Sequence, residues 1–450
     1  MNLETDNKIQ KKGITLVIPN PCGNIKETKM KNSGIEWIGE IPDDWESIRL
    51  KYIYSTTKAK LPKQFYDDKN LTPYLSMDFI RDSINTEPVY AKDGDYCSEE
   101  DILILWDGSN AGEIVFNHPA GYAPSTTAIL KKLSTQSLPV YDKFYLKALE
   151  DDLRRNTNGM GIPHVNGSYL NNSLFLLPPK STQQRIASYL DKKCSKIEET
   201  IQNQQQVIEK LKAYKQSLIT EAVTGKVKIE NGKACGEYES YKDSGVEWIG
   251  KIPSEWEVKK LKFSSQIMRG LFSHRPRNDP DYYDGVHPFI QTGEVARAVK
   301  YITTYSQTLN ELGFSVSREF PAGTVLLTIA ANVGDVAILD FNACFPDSVI
   351  GFYPKENVSK IFMFYVLKSM KEQFMRNAII STQMNLNINI VKEEFIPLPS
   401  LAEQKEIVKF LEKKSDYIDT AIEQKQNLIE KLTEYKKSLI YECVTGKKEV

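Results

Sequence analysis

The chain has 450 residues, of which 41% are hydrophobic and 26% are charged, and its formal net charge is −1. This composition is typical of a folded protein of about two or three domains and excludes a largely disordered chain. The near-zero net charge gives no electrostatic indication that nucleic acid is a partner.

Residues 1–30 are expected to form an N-terminal tail outside the repeated architecture described below. They contain no apolar segment of the kind found in secretion signals, and no apolar run elsewhere approaches the roughly 18 residues of a membrane span. The six cysteines are scattered, without a C-x-x-C pair or a metal-binding spacing. We therefore expect a cytoplasmic protein with reduced thiols.

Two phrases occur twice in the chain. The phrase SGIEWIGEIPDDWE begins at Ser33, and SGVEWIGKIPSEWE begins 211 residues later, at Ser244. A second phrase, EKLKAYKQSLITEAVTGK from Glu209, matches EKLTEYKKSLIYECVTGK from Glu430 at 13 of 18 positions, with an offset of 221. These distances are far above the roughly 20–50 residues of solenoid repeats. The pattern indicates an internal duplication. The two halves share their first and last segments, whereas the segments between them, called the bodies below, differ in sequence.

The two bodies, residues 46–177 and 257–396, are predicted to be α+β. The stretches DILILWDGSNAGEIVF from Asp101 and GTVLLTIAANVGDVAIL from Gly323 each have the pattern of strand, glycine-containing turn and strand. KFYLKALEDDLRR from Lys143 and SKIFMFYVLKSMKEQF from Ser359 have the apolar spacing of helices. The tryptophan phrases, which recur although the bodies differ, are interpreted as packed structural corners.

Each half closes with a segment that has the 3.5-residue apolar period of a coiled-coil seam. The predicted seam contains Leu190, Ile197, Ile201, Ile208, Leu211 and Leu218 in the first half, and Leu411, Ile418, Ile422, Ile429, Leu432 and Leu439 in the second. Such long helices need a partner for this stripe, and the obvious partner of each is the other. The alternative is two amphipathic helices, each packed on its own domain.

Several residues mark the details of these helices. Polar side chains recur at matching seam positions, Gln204 with Lys425 and Lys215 with Lys436, and would fix the register of a defined pair. Ser181 and Ser400 are predicted N-caps. Gly225 and Gly446 are predicted to end the helices.

The bodies are not basic. Residues 35–177 contain 14 basic and 21 acidic side chains, and residues 245–396 contain 16 of each. Any DNA contact must therefore come from local clusters or from partner proteins. The candidate clusters are predicted to lie on loops, where Arg reads guanine and Asn or Gln reads adenine. They are Arg154, Arg155, Asn156, Asn158, Trp106, Ser109, Asn110, His164 and Asn166 in the first body, and Arg269, His274, Arg275, Arg277, Gln291, Thr292, Gln383 and Asn385 in the second. The alternative for each is a solvated or structural loop.

The order of these motifs resembles the specificity subunit of type I restriction–modification enzymes. The openings G-[IV]-E-W-I-G-x-I-P-x-x-W run from Gly34 to Trp45 and from Gly245 to Trp256, and the closing helices begin PPKSTQQRI and LPSLAEQKEI. The E-Q pair of the family is present at Glu403–Gln404, but the first copy has Thr182–Gln183. The resemblance covers the chain from about Lys31.

The resemblance implies two target recognition domains, at 31–177 and 243–396, joined by two long helices packed as an antiparallel coiled coil. The helices would occupy 178–226 and 397–450, with a linker at 227–242. It also implies a non-catalytic subunit that reads a bipartite asymmetric site on double-stranded DNA and binds two methyltransferase subunits and ATP-dependent restriction subunits. S-adenosylmethionine and ATP would then belong to the partners, and the sequence itself contains no phosphate-binding G-x-x-x-x-G-K-[ST] loop. Two alternatives are a coiled-coil adaptor whose domains bind proteins and, with less support because no carboxylate, metal or nucleophile cluster is evident, a nuclease.

Overall fold

The computed structural model describes residues 29–82, 85–159, 161–275, 277–379 and 385–450. The chain divides into two compact units. The first consists of the described part of Met1–Asn203 together with Asn427–Val450, and the second of the described part of Gln204–Gln426. Both units combine strands and helices, so the predicted α+β class is confirmed for each.

The main sheet of the first unit has four antiparallel strands. Their order across the sheet is Ile114–Val115, Ile102–Leu105, Thr127–Lys132 and Tyr54–Lys58. The strand Ile102–Leu105 is buried along its whole length, which explains its continuous apolar run. Its pairing with Ile114–Val115 confirms the predicted strand–turn–strand unit.

The first unit contains further short strands and helices around this sheet. A five-stranded sheet has the order Phe65–Tyr66, Val89–Ala91, Thr72–Tyr74, Gly121–Tyr122, Tyr96–Cys97. Two strand pairs join Met30–Asn32 to Glu40–Pro42 and Glu46–Arg49 to Leu174–Leu177. The helices within the body are Met77–Arg81, Pro139–Arg155 and Gly167–Asn172, with a 3₁₀ turn at Leu50–Tyr52.

The main sheet of the second unit has the same central arrangement. Its order is Ser265–Arg269, Val349–Pro354, Val325–Thr328, Val336–Leu339 and Tyr301–Ile302, with only the last pair parallel. The antiparallel pair Val325–Thr328 and Val336–Leu339 confirms the second predicted strand–turn–strand unit. The predicted helical segment from Ser359 forms two helices, Lys360–Ser369 and Lys371–Ile379.

The remaining elements of the second unit are short. Strand pairs join Tyr283–Pro288 to Thr308–Leu309, Glu319–Phe320 to Ala343–Cys344, Glu257–Lys260 to Phe395–Leu398 and Tyr241–Asp243 to Lys251–Pro253. Helices are present at Leu261–Ser264, Thr292–Arg297, Glu311–Ser315 and Ile388–Glu393, with a 3₁₀ turn at Pro280–Tyr282.

The segment interpreted as a linker forms a β-hairpin. Its strands are Lys228–Glu230 and Lys233–Gly236. Ile229 is only 5% exposed and belongs to the apolar core of the second unit. The hairpin was not predicted because its one buried isoleucine lies among polar residues, and a polar segment that contains glycine is typical of a linker.

The two long helices are Lys180–Val223 and Leu401–Val444, and each has 44 residues. Ser400 is an N-cap, as predicted, since its Oγ accepts a hydrogen bond from the Glu403 amide while the Glu403 carboxylate accepts one from the Ser400 amide. The N-cap prediction for Ser181 is wrong. That residue lies inside the helix, whose first turn is bonded to the Pro179 carbonyl. With Thr182 in place of Glu403, the first helix lacks the carboxylate of this capping box.

The helices pack antiparallel within each unit, as predicted. In the first unit Lys436, near the end of the second helix, pairs with Glu198 in the earlier part of the first helix. In the second unit Lys425 Nζ donates to Gln204 Oε1 at 3.0 Å, and Lys215 lies 2.6 Å from Asp419. The polar seam positions therefore have partners across the seam, which favours one register. All twelve predicted apolar seam residues are buried or half-buried.

Each tryptophan phrase packs on the end of one long helix. Gly446 has φ +72°, and a Cβ there would lie 2.3 Å from Cδ of Pro42. Gly225 has φ +71°, and a Cβ there would lie 2.4 Å from Cδ of Pro253. Only glycine tolerates both this backbone conformation and this close contact. The interpretation of the phrases as structural corners is confirmed, and the contacts explain why glycines and tryptophan phrases recur together.

A buried glutamine anchors the start of each long helix. Gln183 Oε1 accepts from the Leu138 amide at 2.8 Å, and its Nε2 donates to the Pro178 carbonyl at 2.8 Å. Gln404 repeats this with the Ser359 amide at 2.8 Å and the Pro399 carbonyl at 3.0 Å. The glutamine that the two halves share is thus a structural tie between the long helix and the start of a shorter one.

Replacing Gln183 with leucine should lower the free energy of unfolding by about 2–3 kcal/mol, because buried backbone groups at Leu138 and Pro178 lose their partner. Gln184→Leu is the matched control, since Gln184 is exposed and its loss should cost less than about 0.5 kcal/mol. Urea unfolding followed by circular dichroism measures both. Equal effects of the two substitutions would contradict the structural role.

Candidate nucleic-acid interface

The candidate loops of the first unit meet at one edge of its main sheet. The strands Tyr54–Lys58 and Ile102–Leu105 flank Thr127–Lys132 and are both antiparallel to it. They therefore run in the same direction, and their carboxyl ends lie at the same edge. Lys58 and the turn that follows Leu105 are brought together in this way.

Asp107 is the centre of this edge. Its carboxylate accepts a hydrogen bond from Lys58 Nζ at 2.7 Å and contacts His164 Nδ1 at 2.6 Å. Burial alone would raise the pKa of Asp107, but the hydrogen bonds from Lys58 and His164 outweigh it and hold that pKa below its ordinary value. The backbones of Asn158 and His164 exchange two hydrogen bonds of 2.8 Å. Three separately predicted segments, at 106–110, 158 and 164–166, are thus joined.

Individual side chains at this edge differ in what they can offer. The Trp106 ring packs against Gly167 and the core. Asn166 Oδ1 caps the helix Gly167–Asn172 by accepting from the Tyr169 amide at 3.0 Å, so only its NH₂ group remains for a base. Ser109 is exposed and Asn110 is half-buried. Ser109, Asn110 and His164 therefore remain the better candidates here.

The predicted loop at Leu153 is partly a helix. Arg154 and Arg155 are the last residues of Pro139–Arg155, and Asn156 caps that helix, its Nδ2 donating to the Asp152 carbonyl at 2.9 Å. The loop prediction is wrong for both arginines, because the apolar helix period simply continues through them. Both arginine side chains are exposed. Arg154 packs against Gly112 behind the sheet-edge turn.

The second unit repeats this edge with different residues. The Leu386 amide donates to the Ile329 carbonyl at 2.8 Å, as the Val165 amide does to the Trp106 carbonyl. Asn387 caps the helix Ile388–Glu393 through the Asn389 amide at 2.9 Å, as Asn166 caps its own helix. By this correspondence the exposed Asn385 occupies the position of His164. Gln383, the other candidate of this segment, lies outside the described residues.

The basic loop of the second unit is organised around Asp347. Arg275 lies 3.5 Å from the Asp347 carboxylate, Arg277 pairs with the same carboxylate, and Arg269 Nε donates to the Asp347 carbonyl. Arg275 also donates to the carbonyls of Phe272 and His274, both at 2.7 Å. The side chains of Arg275 and Arg277 are still 52% and 45% exposed. Asp347 thus holds the arginines in place while their outer edges face solvent.

The other candidates of the second unit have structural contacts. His274 stacks on Tyr282, with ring centroids 3.8 Å apart, and contacts Asp279 at 3.0 Å. His274 therefore has a structural role beside the arginine cluster.

The loop prediction is wrong for two residues of the second unit. Thr292 is the first residue of the helix Thr292–Arg297, and Arg269 is the last residue of the strand Ser265–Arg269. Gln291 is the N-cap of that helix. The Gln291 side chain is held by its hydrogen bond to Gln307, to which its Nε2 donates.

Sequence reasoning missed the residues that organise both sites. Lys58, Asp107 and Asp347 were not predicted, since isolated charged residues carry no local pattern. The one available signal was position: Lys58 and Arg269 lie 211 residues apart, the offset of the tryptophan phrases. Among the described residues, no group of three or more His, Cys, Asp and Glu side chains is arranged to hold a metal ion.

Comparison with known proteins identifies the class of this tandem architecture. The family described as "Type I restriction modification DNA specificity domain" matches twice, at residues 42–212 and 253–432. The chain therefore belongs to this family of type I specificity proteins, which have a DNA-recognition role in these systems and no catalytic role of their own.

Individual relatives agree with this assignment. The chain is 28% identical over 407 residues to the type I restriction enzyme MjaVIII specificity subunit of Methanocaldococcus jannaschii, covering 84% of this chain and 88% of that protein. It is 24% identical over 423 residues to the EcoBI specificity subunit of Escherichia coli, covering 89% and 85%. A solved structure concerned with complex assembly and conformational transition of the type I system has the same fold, with a TM-score of 0.66 at 14% identity, over 91% of this chain and 99% of that one.

Among the described residues, no helix combines the length and the apolar character that a membrane crossing requires.

Proposed function

We propose that each unit of this chain reads one half of a bipartite, asymmetric DNA site within a type I restriction–modification complex. The proposal rests on one observation. Both units have the same sheet edge, but corresponding positions at this edge carry different side chains. His164 and Asn385 occupy the same position, as do Lys58 and Arg269. A shared scaffold that presents different donors and acceptors suits two readers of different sequences. In this proposal the recognition domains are 31–177 and 243–396.

The two sites would recognise DNA by different chemistry. The first combines the Asp107–His164–Lys58 group with the exposed Ser109 and the half-buried Asn110. The second adds an arginine cluster whose guanidinium groups have the geometry to bind guanine edges or phosphates. The half-site of the second unit is therefore expected to contain guanine.

The long helices are proposed to set the spacing between half-sites and to bind two methyltransferase subunits. They are the element that the two halves share most closely, with 13 of 18 residues identical near their ends. A duplicated surface suits two copies of one partner. Restriction subunits would join this complex, and S-adenosylmethionine and ATP would be bound by the partners. The five described cysteines are free thiols, which agrees with a cytoplasmic location.

The charge of the bodies favours recognition inside a complex. The first has 14 basic against 21 acidic residues over 35–177, so it repels phosphate on average. Affinity would depend on methyltransferase subunits that supply positive charge, while the loops supply specificity. Salt-dependent binding of the complex to a DNA library would separate this function from that of a protein-binding adaptor.

The test is reconstitution with a cognate methyltransferase subunit. Alone, the chain should neither methylate DNA nor hydrolyse ATP. In the mixture, native mass spectrometry should detect a complex with two methyltransferase copies per chain, and this complex should methylate DNA. One methyltransferase copy per chain would contradict the proposal that each half of the duplicated scaffold binds one copy. A complex that forms but does not methylate DNA would contradict the proposed function.

A further inference from the structure

A cavity of about 510 Å³ in the second unit is lined by residues of both long helices and of the two helices that follow Ser359. Its volume is typical of cavities that bind small ligands. Ile219, Val295 and Ile422 are among its apolar walls. The charged residues that line it are Lys212, Lys215, Asp335, Lys368, Lys371 and Asp419.

Both aspartates of this cavity already pair with a lysine. Asp419 lies 2.6 Å from Lys215. Asp335 lies 2.7 Å from Lys371. The ammonium group of Lys368 is therefore an additional positive charge in the cluster. Because a charge that is removed from water needs a counter-ion, an anion that enters the cavity would stabilise this group.

The surroundings of Lys368 compensate its charge only in part. The side chain is half-buried, and its Nζ lies 5.3 Å from the centre of the Phe364 ring. Burial lowers the pKa of Lys368 to about 8, and the positive charge of Lys215 adds to this effect. At pH 7 the group is therefore still mostly protonated and can pair with an anion.

The corresponding lysine of the first unit has its own counter-ion. The two glutamine ties described above align the body helices of the two units at an offset of 221. By this offset Lys147 corresponds to Lys368, and Glu150 corresponds to Lys371. Lys147 lies 2.6 Å from Glu150. The exchange of an acidic for a basic residue at this position therefore leaves an excess of positive charge in the second unit.

The cavity also reaches the sheet edge of the second unit. Gly334 and Asp335, which line it, belong to the turn between the strands Val325–Thr328 and Val336–Leu339. This turn follows the carboxyl end of Val325–Thr328, as the turn that contains Asp107 follows its own strand in the first unit. An anion in the cavity would therefore lie beside the proposed DNA-recognition edge.

We propose that this cavity binds a phosphate group, with Lys368 as its main ligand and Lys215 and Lys371 beside it. A phosphate group offers more acceptor oxygens and more negative charge than a carboxylate, which suits a site with three ammonium groups. The group can belong to a small phosphate compound or to the DNA backbone. The second source rests on the function proposed above.

Acetylation of Lys368 by acetic anhydride, measured by mass spectrometry, tests the site in the unaltered chain. Only the neutral amine reacts, so a bound anion that raises the pKa of Lys368 by one unit should slow its acetylation about tenfold. One arm adds inorganic phosphate to the full chain. The other arm adds a DNA duplex to the complex with a cognate methyltransferase subunit, and the reference is the same complex without DNA. Lys147 is the internal control and should react at an unchanged rate.

The two arms distinguish the sources of the phosphate group. Protection by inorganic phosphate but not by DNA would identify a small phosphate compound as the ligand, and protection by DNA would identify the backbone. Protection by neither would overturn the proposal. If the complex nevertheless binds DNA, the proposed function stands without this site. If inorganic phosphate protects Lys368 but the complex binds no DNA, the site stands and the proposed function fails.

Sulfate, which has the shape of phosphate but stays a dianion between pH 7 and pH 9, isolates the contribution of Lys368. Its affinity, measured by calorimetry, should fall about tenfold over this range, because Lys368 loses its proton as the pH rises through about 8. Lys368→Arg should bind sulfate without this pH dependence, since a guanidinium stays charged.

Lys368→Met should abolish sulfate binding, whereas Lys147→Met, the matched control in the first unit, should leave it unchanged. Sulfate binding that is absent in the unaltered chain, or that persists in Lys368→Met with the same affinity, would overturn the proposal.

Discussion

Replacing both Arg275 and Arg277 with alanine should relax recognition of one half-site and leave the other half-site unchanged. Both arginines belong to the second unit, and each lost base contact costs about 1–3 kcal/mol, which is roughly a fivefold to 150-fold loss of discrimination. Sequencing the methylation motif of cells that carry the variant measures the effect. Arg297→Ala is the matched control, since Arg297 is also exposed and ion-paired, but with Glu294 in the helix Thr292–Arg297 and not with Asp347. An unchanged motif in the double variant would identify the cluster as a solvated loop.

Asp347 provides a second test of the same cluster. If positive charge alone matters, Asp347→Ala should strengthen DNA binding, because it removes a negative charge next to three arginines. If Asp347 positions the guanidinium groups, the variant should lose specificity at the same half-site in spite of the added positive charge. We expect the second result, because Arg275 and Arg277 both pair with that carboxylate.

Lengthening both long helices by seven residues should lengthen the spacer between the half-sites. The insertions follow Gln204 and Lys425, which are hydrogen-bonded to each other at 3.0 Å, so they begin opposite one another. Seven residues keep the heptad phase and add about 10 Å to each helix, equivalent to about three base pairs. The methylation motif should keep both half-sites with a longer spacer, or methylation should fail because one half-site is rotated around the DNA axis.

The control for this experiment is an insertion of five residues at each point. Five residues turn the apolar stripe by about 150° away from the seam at 3.5 residues per turn, so this variant should lose activity through misfolding, visible as a lower melting temperature. A seven-residue variant that remains fully active on the original spacing would show that the helices do not set the distance.

Periodic features of this protein were predictable from the sequence, whereas isolated contacts were not. The coiled-coil seam from Leu190 to Leu218, and its counterpart from Leu411 to Leu439, could be predicted because apolar residues recur every 3.5 residues on average. The strand Ile102–Leu105 could be predicted because a short, uninterrupted apolar run bounded by turn residues is typical of a buried strand. Ser181 was mistaken for an N-cap because the helix begins one residue earlier, at Lys180, and boundaries depend on tertiary contacts such as those of Gln183.

The candidate sites show the same limit. The amide-bearing loops around His164 and Asn385 were identifiable because loops rich in Asn, Gly and Ser are local in sequence. Asp107 and Asp347, the carboxylates that organise these loops, were not, since each meets its cations only through sheet pairing between residues far apart in the chain. The repeat offset could have identified one further pair of site residues. The 211-residue spacing of the tryptophan phrases by itself aligns Lys58 with Arg269.

The proposal that one chain contains two different DNA-recognition domains can be tested by sequencing the methylated bases in cells that contain this chain and its methyltransferase. We predict a motif with two unlike half-sites separated by unspecified bases. A palindromic motif, or a single uninterrupted block of specified bases, would contradict it.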